Sequence, residues 1–245
     1  MPRLKKRLLG RTALITGASR GIGAAVAKQY AAEGAHVILT ARTIAGLEEV
    51  DDTIQAASNG RSKATLVPLD LKDRDEIQKL APAISERFGK LDILVGNAGI
   101  LGEITPVPQI EPENWQELIE VNLTANWQLI RSLQPLLLVS GSGRAMFVTS
   151  GVAGGRAYWG GYAVTKTALE AMIKTWAEEM AGTSLKINLI NPGAVRTSMR
   201  ALAYPGENPM SLPKPEDVTE VFVKLGEQSC LVHSKTVNAE NYNNV

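Results

Sequence analysis

A single cysteine, Cys230, in 245 residues excludes an internal disulfide. Two histidines, His36 and His233, and no paired C-x-x-C leave no ligand set for a structural zinc, so no metal site is expected. Neither sign of charge is in excess: 26 Lys and Arg stand against 25 Asp and Glu, a net of +1. Without a basic field there is no case for nucleic acid, and the expected partner is a small molecule. No apolar run is long enough for a membrane span or a signal peptide, so no membrane partner and a cytoplasmic location are expected. The basic start, carrying Arg3, Lys5, Lys6, Arg7 and Arg11, reads as a solvated leader into the first strand.

What is present is alternation. Runs rich in Val, Ile and Leu recur at residues 12–16, 36–40, 64–69, 91–96, 144–150 and 185–191. They are mostly continuous, as strands buried on both faces should be. Between them, residues 21–33, 47–57, 74–88, 115–138 and 161–181 carry helical periodicity. Strand and helix in turn predict a doubly wound parallel sheet with helices on both faces, in one domain over residues 1–245. Residues 203–217, with four prolines, read as an excursion loop; a short strand is possible near 231–237, and residues 238–245 are expected to fray.

Directly after the first strand comes TGASRGIG, with Gly17, Gly21 and Gly23 marking a turn into a helix. Glycine there lets the backbone approach a diphosphate, and the helix N-terminus offers free N–H groups and a positive dipole end. At the end of the second strand, where a carboxylate would receive a ribose 2′-hydroxyl, stands Ala41, with Arg42 beside it and Arg20 in the glycine turn. Two arginines and no carboxylate favour NADP(H) over NAD(H). Asp70 follows the third strand and is either an acceptor for the adenine amino group or an ordinary N-cap. Asn97, Ala98 and Gly99 follow the fourth, and form either a close approach to the cofactor or a plain turn.

At the other end of the chain, Leu169, Ile173, Trp176 and Met180 form an apolar stripe whose backward extension meets Lys166 and then Tyr162. The pair is therefore expected on the buried side of its helix. An ammonium beside a phenol lowers its pKa, making a proton donor for a carbonyl oxygen.

TGASRGIG, NAG at 97–99, Asn122 in EVNLTAN, Ser150 in VTSG, YAVTK at 162–166 and NPGAVRT at 191–197 occur in order, and over residues 8–226 the chain resembles the classical short-chain dehydrogenases/reductases. The resemblance implies a Rossmann-like domain in which Tyr162 is the acid/base and Lys166 lowers its pKa while holding the nicotinamide ribose. It further implies that Ser150 binds the substrate oxygen and Asn122 holds a relay water. Ser19, Ile22 and Leu71 join the residues above on the adenosine and diphosphate side; Asn191, Pro192, Gly193, Val195 and Thr197 line the nicotinamide side. The implied reaction is hydride transfer between NADP(H) and a carbonyl or secondary alcohol, in a homodimer or homotetramer built through residues 115–138 and 161–181. A catalytically idle sensor or scaffold and an epimerase or dehydratase relative are the alternatives. Three departures stand out: a short Ser150-to-Tyr162 interval that leaves Thr149 as a second hydroxyl, Gly96 where asparagine is common, and no closing glycine-rich turn after the last strand. The segment 200–216, with Leu202, Tyr204 and Met210, together with Met199, is expected to cover an apolar substrate.

Overall fold

The computed structural model describes residues 6–240. Seven parallel strands lie in the order β3-β2-β1-β4-β5-β6-β7: β1 (Thr12–Thr16), β2 (His36–Ala41), β3 (Thr65–Pro68), β4 (Ile93–Gly96), β5 (Arg144–Val148), β6 (Lys186–Asn191) and β7 (Lys235–Asn238). The six apolar runs form the first six strands, and the seventh begins four residues later than the expected segment. Succession runs outward from β1 to β3, then resumes at β4 on the other side of β1. That reversal opens a crevice beyond the carboxyl ends of β1 and β4, where ligands of such sheets bind.

Because strand side chains alternate, each strand feeds two cores. Ala13 and Ile15 of β1, Val37 and Leu39 of β2 and Ile93 and Val95 of β4 pack beneath α1 (Gly21–Ala32), α2 (Ile44–Ser58) and α8 (Thr219–Gly226). Leu14, Ile38, Leu94 and Phe147 face α3 (Arg74–Phe88), α5 (Ala125–Val139) and α6 (Gly160–Glu179). Burial of Leu169 and Ile173 from the α6 stripe contributes about 1.5–3 kcal/mol each and fixes which side of the helix turns inward.

The expected helix over 115–138 is present as an unbroken helical run in which α4 (Pro112–Ile119) passes into α5 through a π-turn over Glu120–Thr124. Three expectations are corrected. The excursion loop carries α7 (Ser198–Ala203) at its entry and two 3-10 turns, Pro209–Ser211 and Pro215–Val218, and α8 follows it. The basic leader is not wholly solvated. Arg11 is 5% exposed and donates to the carbonyls of Asp92 and Ser142, while Arg7 forms a bidentate pair with Glu220; Arg3 and Lys5 lie outside the described residues. The tail does not fray from residue 238, since Ala239 is buried; residues 241–245 lie outside those described.

Candidate active site

The glycine turn is held from the neighbouring strand. Thr16 Oγ1 at the end of β1 accepts from the N–H groups of Asn97 (3.1 Å) and Ala98 (3.0 Å). Asn97 Nδ2 returns bonds to the carbonyls of Thr16 (2.9 Å) and Gly17 (3.2 Å). Asn97 therefore braces the turn with its side chain, a part sequence reasoning did not give it, and Thr16 was missed. Gly17 is at φ +64°, and a Cβ there would stand 2.9 Å from Ala98 Cα. A Cβ on Gly23 would collide with the Gly17 carbonyl, and one on Gly21 would meet Thr197 Cγ2 at 3.5 Å. With no side chain capping α1, the first-turn N–H groups of Gly21, Ile22 and Gly23 are open to an anion.

On the adenosine side, Arg20 and Arg42 are both exposed, and neither joins an ion pair among the described residues. Ser19 packs on α2, where a Cβ on Gly46 would lie 2.9 Å from its own Cβ. Asp70 is not the N-cap of α3; Asp73 fills that position, accepting from the N–H groups of Asp75 and Glu76. Asp70 Oδ1 instead accepts from Lys72 N–H at 3.0 Å, and Leu71 is half-buried against the α3-side core.

Tyr162 (7% exposed) and Lys166 (4%) share the buried face of α6, as the four-residue spacing requires. Lys166 Nζ donates to the Val148 carbonyl at the end of β5 (2.8 Å) and stands 5.7 Å from the Tyr162 ring centroid. Burial dominates both groups. It pushes the Tyr162 hydroxyl up to about 12, against a hydrogen bond from Ser150 that pulls it down, and brings the Lys166 ammonium down to about 8. Desolvation of the phenolate thus holds the Tyr162 hydroxyl in its protonated form in the protein without cofactor. The two candidate hydroxyls are separated by orientation. Ser150 meets Tyr162, whereas Thr149 Oγ1, 2% exposed, donates to Glu170 at 2.8 Å.

Asn122 lies in the π-turn, fully buried. Its amide accepts from Ile100 N–H (2.8 Å) and donates to the Ile100 carbonyl (2.9 Å) and Thr165 Oγ1 (3.2 Å). The side chain is thereby committed to clamping the loop after β4 onto α6, with the π-turn setting its reach. Gly99 lies where a Cβ would stand 3.1 Å from Asn122 Oδ1 and 3.7 Å from Lys166 Nζ. Over Tyr162 close Met199, whose sulfur is 4.0 Å from the hydroxyl, and Trp159, edge-on at 5.8 Å; Tyr204 stacks on Trp159 at 5.8 Å. Trp159 was missed because nothing in its own segment marks it. Leu202 and Met210, expected over the substrate, are instead 75% and 74% exposed. Pro192 and Val195 are buried after β6, Gly193 is at φ +73°, and Thr197 Oγ1 caps α7.

A glycine cradle, an uncapped helix end and a buried ammonium with three donors and one carbonyl acceptor fit a dinucleotide laid across the crevice. Fold and site thus define a dinucleotide-binding α/β protein with a buried tyrosine and lysine at the carboxyl end of its sheet. Comparison narrows the class. The pattern of the family described as short chain dehydrogenase matches residues 11–208. The chain is 38% identical over 216 residues to the uncharacterized oxidoreductase YciK of Escherichia coli (strain K12), covering 88% of this chain and 85% of that one. A structure assigned to the short chain dehydrogenases from Pseudomonas syringae matches with TM-score 0.93 and 42% identity, covering 96% and 97% of the two chains. Another, from Escherichia coli CFT073 and solved with NADPH, matches with TM-score 0.92 and 38% identity over 97% of this chain and 100% of that one. This chain belongs to the short-chain dehydrogenase family of oxidoreductases.

Proposed function

We propose that the chain is an NADP(H)-dependent oxidoreductase acting on a carbonyl or secondary alcohol group of a small molecule. One observation carries the reading: Tyr162 and Lys166 stand on one buried helix face, with Ser150 beside the tyrosine, at the same sheet edge as the open end of α1. The cofactor supplies the hydride when bound. Gly17, Ser19, Gly21, Ile22 and Gly23 would hold its diphosphate, and Arg20 and Arg42 its ribose phosphate. Asp70 and Leu71 would lie at the adenine, with Ala98 and Gly99 along the middle. Pro192, Gly193, Val195 and Thr197 would flank the nicotinamide, with Tyr162 and Lys166 at its ribose. The NADPH complex of the relative and the absence of a carboxylate at the end of β2 support NADP(H).

The chain's own residues do the rest. Ser150 and Tyr162 donate hydrogen bonds to the substrate oxygen and polarise the carbonyl. Burial keeps Tyr162 protonated, the form that can deliver a proton to that oxygen as charge develops on it. The Lys166 ammonium, 5.7 Å from the ring, lowers the cost of the phenolate left behind. Asn122 holds the loop and helix in register; a relay water would use its lone pairs not taken by Ile100. Met199, Trp159 and Tyr204 exclude water from above. Assembly through α5 and α6 agrees with the exposed Trp127, Val139 and Val164.

NADPH oxidation across a panel of carbonyl compounds tests the reading. With any substrate turned over, Tyr162→Phe is expected to lose about 10²–10⁴-fold in rate. A variant as fast as the parent would overturn the assignment.

A further inference from the structure

Residues 238–240, the described start of the segment that stands where a closing glycine-rich turn is missing, lie against the loop after β6. Building on the NADP(H) reading above, we propose that Asn238, at the end of β7, is a positioning residue for the nicotinamide-side loop. It braces the amide of Asn191, and that amide holds the Gly193 turn.

The hydrogen bonds leave one arrangement. Asn191 Oδ1 accepts from Gly193 N–H at 3.2 Å, and Asn191 Nδ2 donates to Asn238 Oδ1 at 3.0 Å. A backbone N–H can only donate, so the amide oxygen must face Gly193 and the nitrogen must face the tail. The reversed amide would set donor against donor at Gly193, so Asn238 turns its own amide oxygen to meet the Asn191 nitrogen. Sheet pairing delivers the contact, because Asn191 and Asn238 are partners in the parallel β6–β7 register.

Gly193 has need of the support. Its φ of +73° lies in the left-handed region, and a Cβ there would run into the Glu240 carboxyl group, with Cδ only 2.6 Å away. The turn is thus enclosed by Asn191 on one side and Glu240 on the other, and Ala239, 5% exposed, anchors the tail between Asn238 and Glu240. Asn191 also reaches the opposite wall of the site: its Nδ2 lies 3.8 Å from where a Cβ on Gly151 would stand, next to Ser150. One amide therefore sits between the turn proposed for the nicotinamide and the turn that carries Ser150, and the tail braces it.

The test compares Asn238→Ala, which removes the acceptor, with Asn238→Asp, which keeps one. Three quantities are read on the full chain: Gly193 amide hydrogen exchange without cofactor, NADPH Kd by fluorescence titration, and Tm. For a partly solvated hydrogen bond at the low end of the usual net range, Asn238→Ala is expected to speed Gly193 exchange and weaken NADPH each by about threefold. Tm should move little, and Asn238→Asp should restore both quantities. Unchanged exchange in Asn238→Ala overturns the proposal. So does a fall in Tm that Asn238→Asp shares, since that is a structural role only. If the parent protein binds no NADPH, the functional reading fails, while Gly193 exchange still decides whether Asn238 braces the turn.

Discussion

Replacing Lys166 by methionine should stabilise the folded protein at neutral pH while it abolishes turnover. The side chain is 4% exposed, and burial brings its ammonium from 10.5 to about 8. At about 1.4 kcal/mol per pH unit, holding that charge inside costs about 3 kcal/mol. Methionine keeps the apolar stem and removes the charge, but also the bond to the Val148 carbonyl, a charged-donor bond of about 1.5–3 kcal/mol. The net at pH 7 is a gain of about 1 kcal/mol. The pH dependence is the larger signal. Between pH 8 and 10.5 the unfolded parent chain still holds the lysine proton that the folded state has released, so parental stability rises with pH across that window. Below pH 8 the cost is fully present; above 10.5 it is gone. Urea unfolding of both proteins without cofactor, at pH 7 and pH 10.5, should therefore show the advantage of the variant fall by about 3 kcal/mol and change sign. Shared titrations cancel in the difference. A gap that stays constant over this range would refute the claim that Lys166 is a buried cation held against desolvation.

Further expectations concern single contacts. Arg42→Asp should weaken NADPH by tenfold or more, the loss of one charge-assisted contact of about 1.5–3 kcal/mol, and improve NADH relative to it; equal binding of both cofactors by the parent protein would contradict this. Tyr30 is fully buried and its hydroxyl donates to the Phe222 carbonyl at 2.8 Å, so Tyr30→Phe should cost about 1–2 kcal/mol in urea unfolding, and no change would refute the pairing. Gly96→Asn would press a side chain into the Phe147 ring and to 3.0 Å from Asn126 Oδ1, so a loss of about 1–3 kcal/mol is expected from overpacking, relieved in part by Phe147→Ala. Wild-type stability in Gly96→Asn would show that the ring is free to move aside.

The uneven legibility of the sequence has identifiable causes. The first six strands and α3 could be read because their signals are local: a buried strand is a short apolar run, and α3 has Asp73 before it and Gly89 after it. The π-turn at Glu120–Thr124 was not legible, since one inserted residue barely disturbs helical periodicity and the cause of the turn is the contact of Asn122 with Ile100. The eight-residue α8 is too short for periodicity to announce it, and the four-residue edge strand β7 gave a signal too short to fix its bounds. The pull of burial on the Tyr162 hydroxyl was not legible, because spacing reports a neighbour four residues away and says nothing about the depth of the pocket.

From the chain alone came the alternation of strand and helix, the shared face of Tyr162 and Lys166, the glycine turn and the arginines at the end of β2. Each of these depends on residues within one or two turns of each other, where backbone geometry fixes direction. Only the tertiary structure tied Thr149 to Glu170, turned Asn97 inward as a brace, filled the place of a missing side chain at Gly96 with Phe147 and brought Asn238 to Asn191. Those outcomes join segments tens of residues apart, and they are decided by which surfaces pack together, a quantity no local pattern carries.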